Sequence, residues 1–406
     1  MRQIILVVAT IAIVLNGYAT QAAQVFDIAQ GRQPRIAVDT ANNVHVVFEG
    51  YSEGSDFREI LYSKSSDMAK TWTVPLNISR TARVSTLPAI AVEKSGAIDV
   101  VWRDTSSGEL HPDIYFTRSV DWGQTWTKAL DISHTTGICS EPAIAAGPDN
   151  SIHVVWVDTR PTDGRPDVFY SCSTDGKTWS PCVSISPTPG ISSEPTIIAC
   201  KDGTVHCSWL DTTSGEERPD IFYVRKANNV WTAPIDVSNT PKMSDHPWLA
   251  CGSKGKIFLC WVDYSQKVNA PDIWCAIGRN GQFDKPINIS DTPGVSSKPV
   301  VVADEAGRVS VVWSDSSLKL SKPDIYARVS TDNGDDFSNV LYLTHTNGLS
   351  IHPAVTLLGS KMILVWEDVT GSIASIKGTT FDFKGIGTGP VDQVNPTVRR
   401  PNSNSH

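Results

Sequence analysis

The chain has 406 residues, a net charge of −8 and no basic run, a balance that argues against nucleic acid and anionic membrane surfaces as partners. Thirteen Trp, abundant Ser and Thr, and few helix-forming runs point to an all-β extracellular protein. Eight cysteines, an even number, suit an oxidising compartment.

Residues 1–23 combine a positive start at Arg2, an apolar run over 4–15 and small residues over 19–23. This reads as a secretory signal peptide cleaved near Ala22 or Ala23. An uncleaved anchor is the alternative, but the run is short for a span, and no later stretch could cross a bilayer. The mature chain is therefore expected to be secreted or periplasmic.

Beyond the leader, the chain repeats seven times. Each unit opens with a proline-led apolar strand at Pro34, Pro88, Pro142, Pro195, Pro247, Pro299 or Pro353, spaced 52 to 54 residues apart. A second strand carries Phe48, Trp102, Trp156, Trp209, Trp261, Trp313 or Trp366. Six units continue as W-x-D, giving Asp104, Asp158, Asp211, Asp263, Asp315 and Asp368, whereas the first reads Phe48-Glu49-Gly50. After a variable loop, five units begin a third strand with Pro-Asp, at Asp113, Asp167, Asp220, Asp272 and Asp324. A tight turn and a short fourth strand complete each unit.

Four short β-branched strands at this period are the signature of propeller blades; helical repeats would need apolar residues at 3.6 spacing. The expectation is a seven-bladed propeller over residues 24–384, with a flexible tail over 385–406. The stretch 25–29 copies the fourth-strand pattern, so it is expected to complete the last blade and close the ring. Pro390–Val394 is a weaker candidate for that place.

The turn between third and fourth strands is clearest at Ser119-Val120-Asp121-Trp122-Gly123-Gln124-Thr125-Trp126. Asp121 can accept backbone N–H groups, Gly123 permits positive φ, and Trp126 returns an apolar group to the core. Fainter copies centre on Asp67, on Asp175 with Trp179, and on Asp332. A structural role is expected for all of them.

Cys200 with Cys207, and Cys251 with Cys260, would each join the first two strands of a unit; Cys172 with Cys182 would span the third hairpin. Cys139 and Cys275 remain unassigned. Paired W-x-D and Pro-Asp carboxylates could hold Ca²⁺, but capping of backbone N–H groups is the stronger reading, so no cofactor is called for.

In such blades the second-to-third loops and inter-blade linkers share one face. Those loops carry Glu109, Arg160, Asp163, Arg165, Glu216, Glu217, Arg218, Lys267 and Lys319. Positions beside the leading prolines vary too: Gln33, Arg35, Leu87, Glu141, Glu194, His246, Lys298 and His352. A constant frame with a varied rim is what a binding face needs. Arg35, Arg103, Glu141, Arg160, Arg165, Glu194, Arg218, His246 and His352 are its ligand-binding candidates.

The octet at 119–126 resembles the Asp box of the bacterial neuraminidase (BNR) repeat, and the whole pattern is similar to the sialidase-like superfamily. The resemblance implies a propeller, six-bladed in sialidases, where seven units are counted here. It further implies cleavage of terminal sialic acids by an arginine triad, a Tyr–Glu nucleophile pair and an Asp acid/base. Pro34-Arg35-Ile36 matches the first triad position in part, Glu53 or Asp56 lies where the proton donor would be sought, and Tyr342 is the nearest late tyrosine. The other arginines would come from Arg103, Arg160, Arg165 and Arg218. Only fragments of the catalytic set carry across. The expected function is therefore non-catalytic binding of a glycan or a protein partner by a monomer, with an exo-α-sialidase as the alternative.

Overall fold

A computed structural model describes residues 25–160, 164–318 and 322–383. The leader, the tail, the alternative closing segment 390–394 and the loop residues Asp163 and Lys319 lie outside them. The fold is a seven-bladed propeller of antiparallel sheets, with the strands of blades 1 to 6 in sequence order from the axis outward. Blade 1 runs through Arg32–Val38, Val44–Gly50, Glu59–Ser65 and Leu76–Asn77, and blades 2 to 6 repeat that course. Blade 7 takes Leu349–Leu358, Lys361–Thr370 and Ile373–Asp382 from the C-terminal side. Its fourth strand is Phe26–Gln30, paired antiparallel to Ile373–Asp382. The ring thus closes with the N-terminal strand, as the copied pattern predicts. Among the described residues no helix is long and apolar enough to cross a membrane.

Sheets stacked face to face bury both sides of their inner strands, which is why these read as unbroken β-branched runs rather than alternating ones. Every residue of Val44–Gly50 and Ile152–Asp158 is buried. All six second-strand tryptophans are fully buried. Truncating such a ring costs about 3–5 kcal/mol. In five blades the indole N–H donates to the Asp two residues on, at 2.8 Å for Trp102 and Asp104 and 2.9 Å for Trp209 and Asp211. Asp104 Oδ2 also accepts from Ser85 Oγ at 2.8 Å and Thr81 Oγ1 at 2.7 Å, while its Oδ1 takes the Ser106 N–H at 2.8 Å. The Pro-Asp carboxylates likewise bind the fourth strand, as Asp220 does with Ser238 Oγ at 2.9 Å. Donors of the frame occupy these carboxylates, except at Asp368, whose Oδ2 is buried without a hydrogen-bond partner. Among the described residues no group of three His, Cys, Asp or Glu is arranged to hold a metal ion.

The Ser-x-Asp turns are knotted locally. Asp121 Oδ1 accepts from the N–H groups of Gln124 at 3.1 Å and Thr125 at 2.8 Å, and from Ser119 Oγ at 2.8 Å. Asp67, Asp175 and Asp332 make the same bond to their own serines, at 2.8, 3.1 and 2.6 Å. The aromatic that follows packs on the preceding blade. Trp126 meets Tyr62 edge-on at 4.9 Å and Trp179 meets Phe116 at 5.0 Å; in blade 4, whose turn is Asn228-Asn229 instead, Trp231 meets Tyr170 at 5.0 Å. These turns are inter-blade stitches.

The cysteine expectation is overturned. The disulfide joins Cys200 to Cys251, at the ends of the first strands of blades 4 and 5, and Cys172, Cys182, Cys207 and Cys260 are free. Register explains the error. Cys207 stands opposite Ile197 and Cys260 opposite Trp248, whereas Cys200 and Cys251 face each other across the blade gap. The backbone N–H of Cys172 binds Ser180 Oγ at 3.0 Å, which leaves Cys182 out of line. Cys275 stands opposite Cys260, and Cys139 Sγ contacts Asp158 Oδ2 at 3.4 Å.

Candidate functional site at the channel mouth

The innermost strand of every blade carries a bulge at its leading proline, where the register slips by one residue. Proline has no N–H to leave unpaired, so it suits a bulge. The residue before it takes a left-handed backbone at all seven positions: Gln33, Leu87, Glu141, Glu194, His246, Lys298 and His352 have φ between 49° and 54°. Each such non-glycine residue carries about 1–3 kcal/mol of strain. Strain repeated seven times around one axis builds a ring of variable side chains at the mouth of the central channel, on the face that bears the long loops.

Carboxylates of that mouth tie neighbouring blades through the bulge N–H groups. The Glu194 N–H donates to Glu141 Oε2 at 2.6 Å, and the His246 N–H donates to Glu194 Oε2 at 2.7 Å. The Leu87 N–H donates to Glu49 Oε1 at 2.8 Å, and the Gln33 N–H to Glu367 Oε2 at 3.1 Å. Glu367 also meets His352 Nδ1 at 3.0 Å, and Glu49 takes Arg58 Nη1 at 2.8 Å.

The most polar sector belongs to blades 3 to 6. His246 Nε2 lies 3.2 Å from Glu194 Oε1 and also contacts Lys298 Nζ. The two neighbours make opposite demands: donation to Glu194 needs a proton on Nε2, acceptance from Lys298 needs a lone pair. His246 Nδ1 lies 2.8 Å from Asp245 Oδ1 but is misaligned for a hydrogen bond. Tyr264 Oη donates to Asp245 Oδ2 at 3.5 Å. Burial pushes the Glu141 carboxyl up, with the Glu194 charge adding to it, and pushes the Lys298 ammonium down.

Arg35 reaches into the channel from blade 1 and lies over the ring of Trp248 from blade 5, 5.7 Å from its centroid. Its Nη1 donates to the Pro34 carbonyl at 3.1 Å. No carboxylate among the described residues is within ion-pair distance of it. Burial lowers its pKa, and the field of Glu49 opposes that. Two exposed aromatics, Tyr51 and Phe57, flank the same rim in the blade 1 loop.

The structure thus brings together Glu141, Glu194 and His246, and sets His352 on Glu367. The remaining candidates are dispersed. Arg103 lies in the field of Asp104, Arg58 and Glu49, and burial lowers its pKa. Arg160 is bonded to Asp158 through Nε at 2.8 Å and stacks on Phe169 at 4.4 Å. Arg165 donates to the Pro189 carbonyl. Arg218, Glu53 and Asp56 are exposed loop residues. Tyr342 Oη donates to Asp324 Oδ2 at 2.6 Å, within the blade 6 frame. Sequence reasoning missed Glu49, Glu367, Asp245 and Trp248. The signal for the two glutamates was present: each holds the position after the second-strand aromatic, where the other blades carry Arg103, Val157, Leu210, Val262 and Ser314.

No family model and no curated protein matches the chain. Solved structures do. An ulvan polysaccharide lyase, bound to a saccharide of glucuronic acid and sulfated rhamnose, superposes with a TM-score of 0.60 at 11% identity, covering 90% of this chain and 97% of that one. The Penicillium chrysogenum α-L-arabinanase complexed with arabinobiose gives 0.52 at 15% identity over 74% and 94%. The leech intramolecular trans-sialidase gives 0.50 at 9% identity over 71% and 65%. At these identities the likeness is one of fold alone, that of a β-propeller.

Proposed function

We propose that the protein is a secreted BNR-repeat propeller that binds an acidic glycan, without cleaving it, at the channel mouth on its loop-bearing face. The observation that carries this reading is Arg35, a cation set in the channel over an indole ring with no carboxylate among the described residues in ion-pair reach. Guanidinium recognises a carboxylate by paired, charge-assisted hydrogen bonds, and an aromatic face beside it suits the apolar side of a sugar ring. Glu141, Glu194, His246 and Lys298 would receive hydroxyl groups. A ring of polar side chains around a channel mouth suits a saccharide better than the broad face of a folded partner. Similar folds that act on or bind saccharides support the same choice.

The alternative, an exo-α-sialidase, keeps Arg35 but finds Arg160 committed to Asp158. Calorimetric titration with uronate-containing oligosaccharides tests the proposal. Binding is expected for the wild type, with at least a tenfold loss in Arg35→Ala and in Arg35→Gln, and little affinity for neutral oligosaccharides. Equal affinity for neutral and acidic chains, or hydrolysis of a fluorogenic α-sialoside that disappears in Arg35→Ala, would overturn it.

A further inference from the structure

The opposite face holds a cavity. First-to-second turns of blades 4, 5 and 6 enclose a cleft of about 710 Å³ whose wall includes the Cys200–Cys251 disulfide. Its acidic groups are already engaged. Asp202 accepts the Thr204 N–H at 3.0 Å and the Thr204 hydroxyl at 2.6 Å. Asp304 takes Arg308 Nε at 2.7 Å, and Glu305 lies 3.5 Å from Lys201. His206 is held between Thr204 and Tyr223, at 2.8 and 2.6 Å, and burial keeps its ring neutral.

What remains is cationic. Arg225, from the third strand of blade 4, lines the cleft, and its Nε is buried without a hydrogen-bond partner. Lys254, from the turn of blade 5, lines it as well, exposed and outside any ion pair among the described residues. The charge of Arg225 is not paired with a carboxylate among the described residues, so its guanidinium is open to an anion in the cleft. The disulfide ties together the two blades that carry these cations.

We propose that this cleft is a second binding site, separate from the channel mouth, which takes a compact oxyanion (sulfate, phosphate or a monoester of either) on Arg225 and Lys254. Two donors from adjacent blades can share the oxygens of a tetrahedral anion, as planar guanidinium and point-charge ammonium do in phosphate sites.

The test is calorimetric titration with inorganic sulfate and phosphate at low ionic strength, beside sodium chloride at matched ionic strength. Saturable binding is expected at one site, weakened at least tenfold in Arg225→Gln and in Lys254→Gly. Glycine suits the left-handed backbone of that turn, where Lys254 has φ 56°, so the second variant keeps the fold. Arg35→Ala is expected to bind the anion as the wild type does. Glucose 6-sulfate separates the sources: binding tighter than free sulfate assigns the site to a sulfated sugar, and equal binding assigns it to the free anion. No saturable heat beyond the chloride control, or wild-type affinity in both cleft variants, would refute the site.

Discussion

At the scale of single residues, the mouth depends on carboxylates that serve two blades at once. Glu194 accepts the bulge N–H of His246 and faces the His246 ring, while its own N–H is held by Glu141. Removing it orphans a backbone donor at a strained position, so Glu194→Ala is expected to lose about 1–3 kcal/mol of stability. Urea unfolding measures this, and a loss under about 0.5 kcal/mol would show that the bond is solvent-replaceable.

A second residue-scale prediction concerns three buried histidines that recur eleven residues after their blade's proline: His45, His153 and His206. Each bonds a tyrosine of the third strand, at 2.7, 2.7 and 2.6 Å. Burial lowers the pKa of all three, to about 4 for His153 and His206. The native rings stay neutral where unfolded rings, titrating near 6.5, take up a proton. Their stabilising contribution is therefore complete above pH 6.5 and falls as pH drops toward 4, by on the order of 3 kcal/mol for each of the latter two. Blade 5 carries Phe258 at this position. His206→Phe with Tyr223→Phe should flatten the stability profile across that window, and an unchanged slope would contradict the assignment.

At the scale of elements, closure rests on the strand Phe26–Gln30. Phe26 packs over Gly378 so tightly that a Cβ there would lie 2.2 Å from its ring, and the ring also approaches Trp72 of blade 1 at 6.0 Å. Gly378→Ala should displace this strand and expose a sheet edge, costing about 1–3 kcal/mol by overpacking. Limited proteolysis reads the effect: cleavage near the N-terminal strand should accelerate while blades 2 to 6 stay protected. Uniform protection would mean that closure does not hinge on this contact. The prediction belongs to the element because blade 7 alone takes strands from both ends of the chain.

At the scale of the molecule, the ring was legible because its period, prolines and W-x-D signals are carried by local sequence. Blade number, strand order and even closure follow from repeats of one pattern. The site was legible in part: positions beside the prolines vary in sequence, and of these Glu141, Glu194 and His246 stand together, with His352 apart on Glu367. What the chain hid depends on register and on neighbours in space. The left-handed bulge cannot be read from residues as unlike as Leu87 and Lys298, because the fold imposes it on whatever precedes the proline. The Cys200–Cys251 bond crosses between blades, 51 residues apart, so hairpin counting missed it. Arg35 and Trp248 stand on different blades and meet only across the axis.

The central claim is that ligand binds at the channel mouth, and a crystal structure with a bound uronate oligosaccharide tests it most directly. The account predicts a sugar carboxylate within hydrogen-bond distance of Arg35, with hydroxyl groups on Glu141, Glu194 or Lys298. Saccharide bound only at outer loop tips, or only in the opposite cleft, with the channel mouth empty, would contradict it.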